Sequence, residues 1–194
     1  MAAVVEVVKG RLIDQSVAAL VLSANNLLQA GGGWSLEVEK VAGRAYRHEC
    51  RDLAAVGPGG LALGSAVVTG GGKLAQGELR RCVIQAITTG YVADSRPADQ
   101  RRIPATPGVL YAAVRAALEK AELYRMDSVA TYVMVQRPGY ATRPPGEMAE
   151  TLFRALLDHA AIASAVQRIV VCEEKDAAVA DAQAALARAQ ASRV

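Results

Sequence analysis

Residues 20–43, LVLSANNLLQAGGGWSLEVEKVAG, constrain this chain more than any other stretch. They read as a short apolar strand, a polar corner, three consecutive glycines and a helix. Both asparagines of the protein, Asn25 and Asn26, lie here. Three adjacent glycines permit positive φ and leave backbone N–H groups uncovered. Just before a helix start, such groups form a concave anion site with the helix N-terminus aimed at it. The stretch points to a phosphate or diphosphate binder, with a plain structural turn as the alternative. Ser35 is a candidate N-cap, which puts Glu37 and Glu39 in the helix's first turn. Carboxylates there suit the positive helix end and compete with a bound phosphate.

Strands and helices alternate around this stretch. Residues 4–8 and 18–22 read as strands, and residues 35–56 as one helix with Leu36, Val41, Ala45 and Leu53 as core contacts. The run Gly57-Pro58-Gly59-Gly60 ends that helix. Strands follow at 62–69 and 81–87, with Gly70-Gly71-Gly72 as a turn, then a polar loop at 94–102. Thr106 as N-cap and Pro107 at the first helical position open a helix. Its apolar face carries Leu110, Val114, Ala117, Leu118 and Ala121. Residues 128–135 are nearly all apolar, as in a central strand covered on both sides. Residues 136–146 hold three prolines and two glycines and form a loop. A helix through Met148, Leu152, Leu156 and His159, a strand at 168–172 and an alanine-rich helix at 176–189 complete the chain. This alternation predicts a three-layer α/β/α sandwich. Its central sheet is mixed, because the first two elements are strands with no helix between them. No repeat or linker divides the chain, so residues 1–194 read as one domain. In such sheets ligands bind outside the carboxyl ends of strands. The loops at 23–34 and 136–145 both follow strands, which lets them face each other across one cleft.

Composition narrows the function. A net charge of +3 without a lysine-rich tract, and an aromatic content of 4%, argue against a nucleic-acid partner. No run of about 18 apolar residues predicts a membrane span. The N-terminus lacks the pattern of a signal peptide. Cys50, Cys82 and Cys172 are far apart and odd in number, which predicts free thiols and a reducing, cytoplasmic setting. There is no HExxH, paired-cysteine or GxSxG motif, so neither a metal nor a cofactor is expected. His48 and His159 read as surface or capping residues on helices. Oligomeric state is not set by any of these features.

Five segments, in this order and spacing, resemble the macro domain, a family that binds ADP-ribose and related nucleotides. They are VVEVVKGRL (4–12), VLSANNLLQAGGGW (21–34), GSAVVTGGGKL (64–74), CVIQAITTGY (82–91) and YVMVQRPGYATRPPGEMAETL (132–152). The resemblance implies a nucleotide cleft built from Arg11, Leu12, Asn25, Gly31, Gly32, Gly33, Trp34 and Ser35 on one side. Gln136, Gly139, Tyr140, Ala141 and Thr142 build the other. Several positions depart from the family. Arg11 stands where the family has the adenine-binding Asp, and Leu22 where it has the first Asn of the strand end, while Asn25 matches the second, near the distal ribose. Ser35 stands for the Asp implicated in hydrolysis, and Gln85 where His is common. Arg137-Pro138-Gly139 replaces Gly-Thr-Gly, and Thr142 replaces the next glycine.

The residues admit plainer readings beside these. Asn25 offers donors and an acceptor to ribose hydroxyls, or serves local turn chemistry. Trp34 stacks on a ligand or fills and narrows the cleft. The resemblance implies a module binding ADP-ribose or a related nucleotide diphosphate without efficient catalysis. The alternatives are a metal-independent hydrolase or phosphatase of ADP-ribose derivatives, and a scaffold whose pocket has decayed.

Overall fold

The computed structural model describes residues 3–57, 59–75, 82–92, 101–135, 139–162 and 165–193. Its strands are β1 (Val4–Lys9), β2 (Ala19–Asn25), β3 (Ala66–Gly70), β4 (Cys82–Tyr91), β5 (Arg102–Ile103), β6 (Ser128–Thr131) and β7 (Arg168–Glu173). Its helices are α1 (Gly33–Ala42), α2 (Arg44–Ala54), α3 (Pro107–Leu123), α4 (Pro145–Ala160) and α5 (Asp176–Ala191).

The strands form a seven-stranded sheet in the order β1-β7-β6-β2-β4-β3, with β5 paired to β4. The run from β1 to β4 is parallel, and β3 and β5 pair antiparallel with β4, so the sheet is mixed as expected. Side-chain alternation sorts the core into two layers. Val21, Ile84, Ala86, Val129, Ile169 and Val171 pack under α3, α4 and α5. Leu20, Leu22, Val83, Ile87, Val170 and Cys172 pack under α1 and α2. A helical layer on each face makes the three-layer sandwich.

Local chemistry explains α3. Thr106 accepts from the Val109 N–H at 3.1 Å, and Pro107 occupies the first turn. Leu110, Ala113, Val114, Ala117, Leu118 and Ala121 are all buried on one face.

Several boundaries differ from the sequence reading. The helix expected over 35–56 is two helices. They break at Gly43, whose φ of +86° is a left-handed conformation suited to glycine. The strand expected over 128–135 stops at Thr131, because the chain leaves the sheet toward Val135, where φ is +63°. The strand expected from residue 62 starts at Ala66, while β5 lies at the end of the segment read as a loop. Gly72 opens a 3-10 turn against α1, as a structural glycine. His48 is exposed, whereas His159 is buried with its Nε2 2.9 Å from Glu122 Oε1.

Candidate functional site

Strand β2 delivers the chain to the glycine loop, and Asn25 shapes the corner. Its Oδ1 accepts from the N–H groups of Leu27 and Gln29, each at 3.1 Å, and its Nδ2 donates to the Gln29 carbonyl at 2.7 Å. That is local turn chemistry, the plainer of the two readings of this residue. Leu28, at φ +51°, completes the corner with its side chain in the α1–α2 core. Gly32 and Gly33 follow with φ of +132° and +56°. Helix α1 begins at Gly33, so Gly32 rather than Ser35 is its N-cap. Ser35 lies inside the first turn and donates its Oγ–H to the Gly32 carbonyl at 2.8 Å. With the helix starting two residues earlier, neither Glu37 nor Glu39 falls in the first turn, and no acidic side chain there counters the N-terminal dipole.

The loop forms one wall of a cleft of about 290 Å³ at the carboxyl ends of the parallel strands. Asn25, Gly31, Gly32, Gly33, Trp34, Ser35 and Tyr140 all line it. Trp34 sits on the wall, half-buried, with its ring tilted 48° to that of Tyr132 at 6.3 Å, and the cleft persists beside it. Other expected positions lie outside the lining. Leu12 is wholly buried in the α1–α2 core. Arg11 turns to the surface and pairs with Glu37, since its guanidinium finds a carboxylate there. Gly139 projects no side chain. Ala141 and Thr142 are drawn away by pairing with Ala105: the Thr142 N–H donates to the Ala105 carbonyl at 2.9 Å, and Ala105 bridges Ala141. Gln136 lies outside the described residues, as do Arg137 and Pro138.

The cleft floor holds a buried polar group. Gln85 donates from Nε2 to Tyr46 Oη, with Cys50 Sγ at 3.9 Å. Burial pushes the Cys50 thiol up to about 11 and raises the Tyr46 phenol further, so both stay protonated near neutrality. Two carboxylates also line the cleft. Glu39 pairs with Arg47 at 2.9 Å, and Glu173, at the end of β7, accepts from the Val133 N–H at 2.9 Å.

Arg102, Tyr91, Gln85, Tyr46, Glu39 and Glu173 were not among the residues expected to line the site. Gln85, Tyr91, Glu39 and Tyr46 belong to motifs or helices read from sequence, though not to the expected lining. Arg102 and Glu173 join them only through strand pairing between distant segments. Arg102 is the clearest case. Its guanidinium lies 3.7 Å from the Tyr140 ring centroid and 5.7 Å from that of Tyr91.

A family model, the Macro domain, matches residues 21–135. The chain belongs to the macro domain family. A macro domain-containing protein of Caldanaerobacter subterraneus subsp. tengcongensis is 37% identical over 70 residues. That match covers 36% of this chain and 39% of the relative, well under two thirds of its length. Among solved structures, the Oceanobacillus iheyensis macrodomain with ADP shares 18% identity, covers 100% of this chain and 94% of its own, and superposes with a TM-score of 0.77. A mutant of that macrodomain with ADPR gives 19%, 96%, 94% and 0.75. The Trypanosoma brucei macrodomain in complex with ADP gives 17%, 94%, 68% and 0.72. At these identities the likeness fixes the fold.

Across the cleft of this macro domain from the glycine loop stands a second wall, which carries Arg102 and Tyr140. There the segment of Arg102 to Ala105 forms a strap. Ile103 and Arg102 pair with Gly90 and Tyr91 at one end, and Ala105 pairs with the second loop at the other, its N–H donating to the Tyr140 carbonyl at 2.8 Å.

Proposed function

We propose that this macro domain, spanning residues 1–194 as one unit, binds ADP-ribose or a related nucleotide diphosphate in the cleft without efficient catalysis on ADP-ribose derivatives. One observation carries the reading: an open cleft at the strand ends with the backbone of Gly31 to Gly33 leading into the N-terminus of α1. Backbone N–H groups and the helix dipole together favour a phosphate at that point. Relatives of the same fold hold ADP and ADPR, which supports the ligand class. The three free cysteines fit a reducing cytoplasmic setting.

Weak turnover follows from Ser35. Its hydroxyl is committed to the Gly32 carbonyl and has no adjacent histidine or lysine in sequence. General-base help typically contributes about 10²–10⁴-fold, and a serine does not supply it. A second reading, hydrolysis of ADP-ribose derivatives, draws on Glu39, a cleft carboxylate one helical turn beyond Ser35. Its carboxylate is engaged by Arg47 at 2.9 Å. A thermal-shift titration with ADP-ribose, followed by time-resolved product analysis of ADP-ribosylated protein, tests both readings. Stabilisation with negligible product in wild type, and product gained in Ser35→Asp, is the expected outcome. Robust wild-type turnover abolished in Glu39→Gln establishes the second reading instead.

A further inference from the structure

Among the described residues that line the cleft, Arg102 is the one cation, beside the carboxylates Glu39 and Glu173. Both carboxylates are engaged, by Arg47 and by the Val133 N–H. Arg102 has no carboxylate within ion-pair distance among the described residues. Its neighbours are the Tyr140 ring below it and Tyr91, whose Oη accepts from Nη2 at a long 3.4 Å.

This arrangement leaves the useful part of the guanidinium uncommitted. A ring stacked on the flat face fixes the plane of the group and takes none of its five in-plane N–H donors. Those donors form a fork that matches two oxygens of a phosphate, a geometry that an ammonium cannot reproduce. The strap fixes Arg102 from both sides, through the pairing of β5 with β4 and of Ala105 with the second loop. Stacking on Tyr140 restrains the side chain itself, so less of its freedom is lost on binding.

We infer that Arg102, stacked on Tyr140, is a phosphate-binding residue that grips non-bridging oxygens of a diphosphate from the wall opposite the glycine loop. The inference rests on the nucleotide reading above and adds a side-chain clamp to a site otherwise built from backbone amides. It also gives the cleft a ligand preference: affinity follows phosphate charge, in the order ADP over AMP over adenosine.

Isothermal titration of wild type, Arg102→Gln, Arg102→Lys, Tyr140→Phe and Tyr140→Ala tests this, with ADP, adenosine and inorganic pyrophosphate as probes and sodium chloride varied. Expected is a roughly ten- to hundredfold loss of ADP affinity in Arg102→Gln, in line with charged hydrogen bonds. Arg102→Lys recovers part of it, because it keeps the charge without the fork. Tyr140→Ala, which removes the stacking ring, loses more affinity than Tyr140→Phe, which keeps it. The slope of log affinity against log salt becomes shallower in Arg102→Gln, a change that a merely structural arginine does not produce. Wild-type ADP affinity and salt slope in Arg102→Gln overturn the inference while leaving nucleotide binding intact. Pyrophosphate binding without any preference for ADP, lost in Arg102→Gln, upholds the clamp and overturns the nucleotide reading. Failure of wild type to bind either anion overturns both.

Discussion

Asn26 and Tyr91 are joined by a reciprocal pair of hydrogen bonds: the Tyr91 N–H donates to Asn26 Oδ1 at 2.8 Å, and Asn26 Nδ2 donates to the Tyr91 carbonyl at 3.1 Å. The side-chain amide thereby acts as one more backbone unit at the point where β2 ends and β4 continues. The same Nδ2 donates to the Gly59 carbonyl at 2.8 Å, so the amide also ties down the chain after α2. Gly90 leaves room for it, since a Cβ there would lie 3.3 Å from the Asn26 side chain. Replacing Asn26 with Ala strips partners from one N–H and two carbonyls in a mostly buried site. Each such loss costs about 1–3 kcal/mol. Urea unfolding of Asn26→Ala is expected to show a destabilisation of about 3 kcal/mol or more.

Two glycines separate fold from ligand contact. A Cβ on Gly72 would collide with the Ala42 carbonyl oxygen, and its φ of +54° is left-handed. Gly72→Ala is therefore expected to lose more than about 2 kcal/mol of stability. A Cβ on Gly31 meets nothing within 4 Å, so Gly31→Ala should leave stability within about 0.5 kcal/mol of wild type. If a diphosphate lies against the loop backbone, that added methyl lowers ADP-ribose affinity about tenfold, or about 1.4 kcal/mol. Unchanged affinity would move the phosphate away from Gly31. Position 31 is a cleaner probe than position 32, because φ of +132° at Gly32 makes any side chain strained there.

Arg11 carries a prediction about base selection. It stands where the resembled family has an adenine-binding Asp, and it offers donors only. Its guanidinium is turned to Glu37, outside the cleft lining. Competition with ADP, GDP and UDP is expected to give affinities within about tenfold of one another, and Arg11→Ala should leave all three unchanged. A stronger preference for ADP would mean that another group reads adenine.

The thiols set an alkaline limit. Burial raises Cys50 and Cys82 from 9.0 to about 11 and Cys172 to about 12. The folded state thus holds these protons more tightly than the unfolded state. The stability they contribute is complete below pH 9 and is lost as pH rises toward 11–12. Urea midpoints should fall steadily across that window. Thiol reagents at pH 8 should modify native protein slowly and three thiols promptly after denaturation.

Sequence carried the architecture where local chemistry decided it. Thr106-Pro107 marks the start of α3, valine-rich runs mark the sheet, and three glycines mark the turn before α1. It fell short where distant segments decide. The break at Gly43 depends on a left-handed residue inside a pattern that still reads as helical. β5 is two residues long and exists because Gly90 and Tyr91 pair with it. The same limit applies to the site. The glycine wall lies within one stretch of chain and is legible there. The opposite wall is not, because Arg102 reaches Tyr140 only through a strap tied to β4 and to the second loop. Likewise Arg11 and Leu12, though placed by family resemblance, are taken up by Glu37 and by the core.

The most direct test of the account is a calorimetric titration of the intact wild-type chain with ADP-ribose at neutral pH and low salt. Saturable one-to-one binding, weakened in Gly31→Ala and displaced by ADP, is the predicted result. Heats indistinguishable from dilution up to millimolar ADP-ribose, in protein shown to be folded, would contradict a nucleotide cleft.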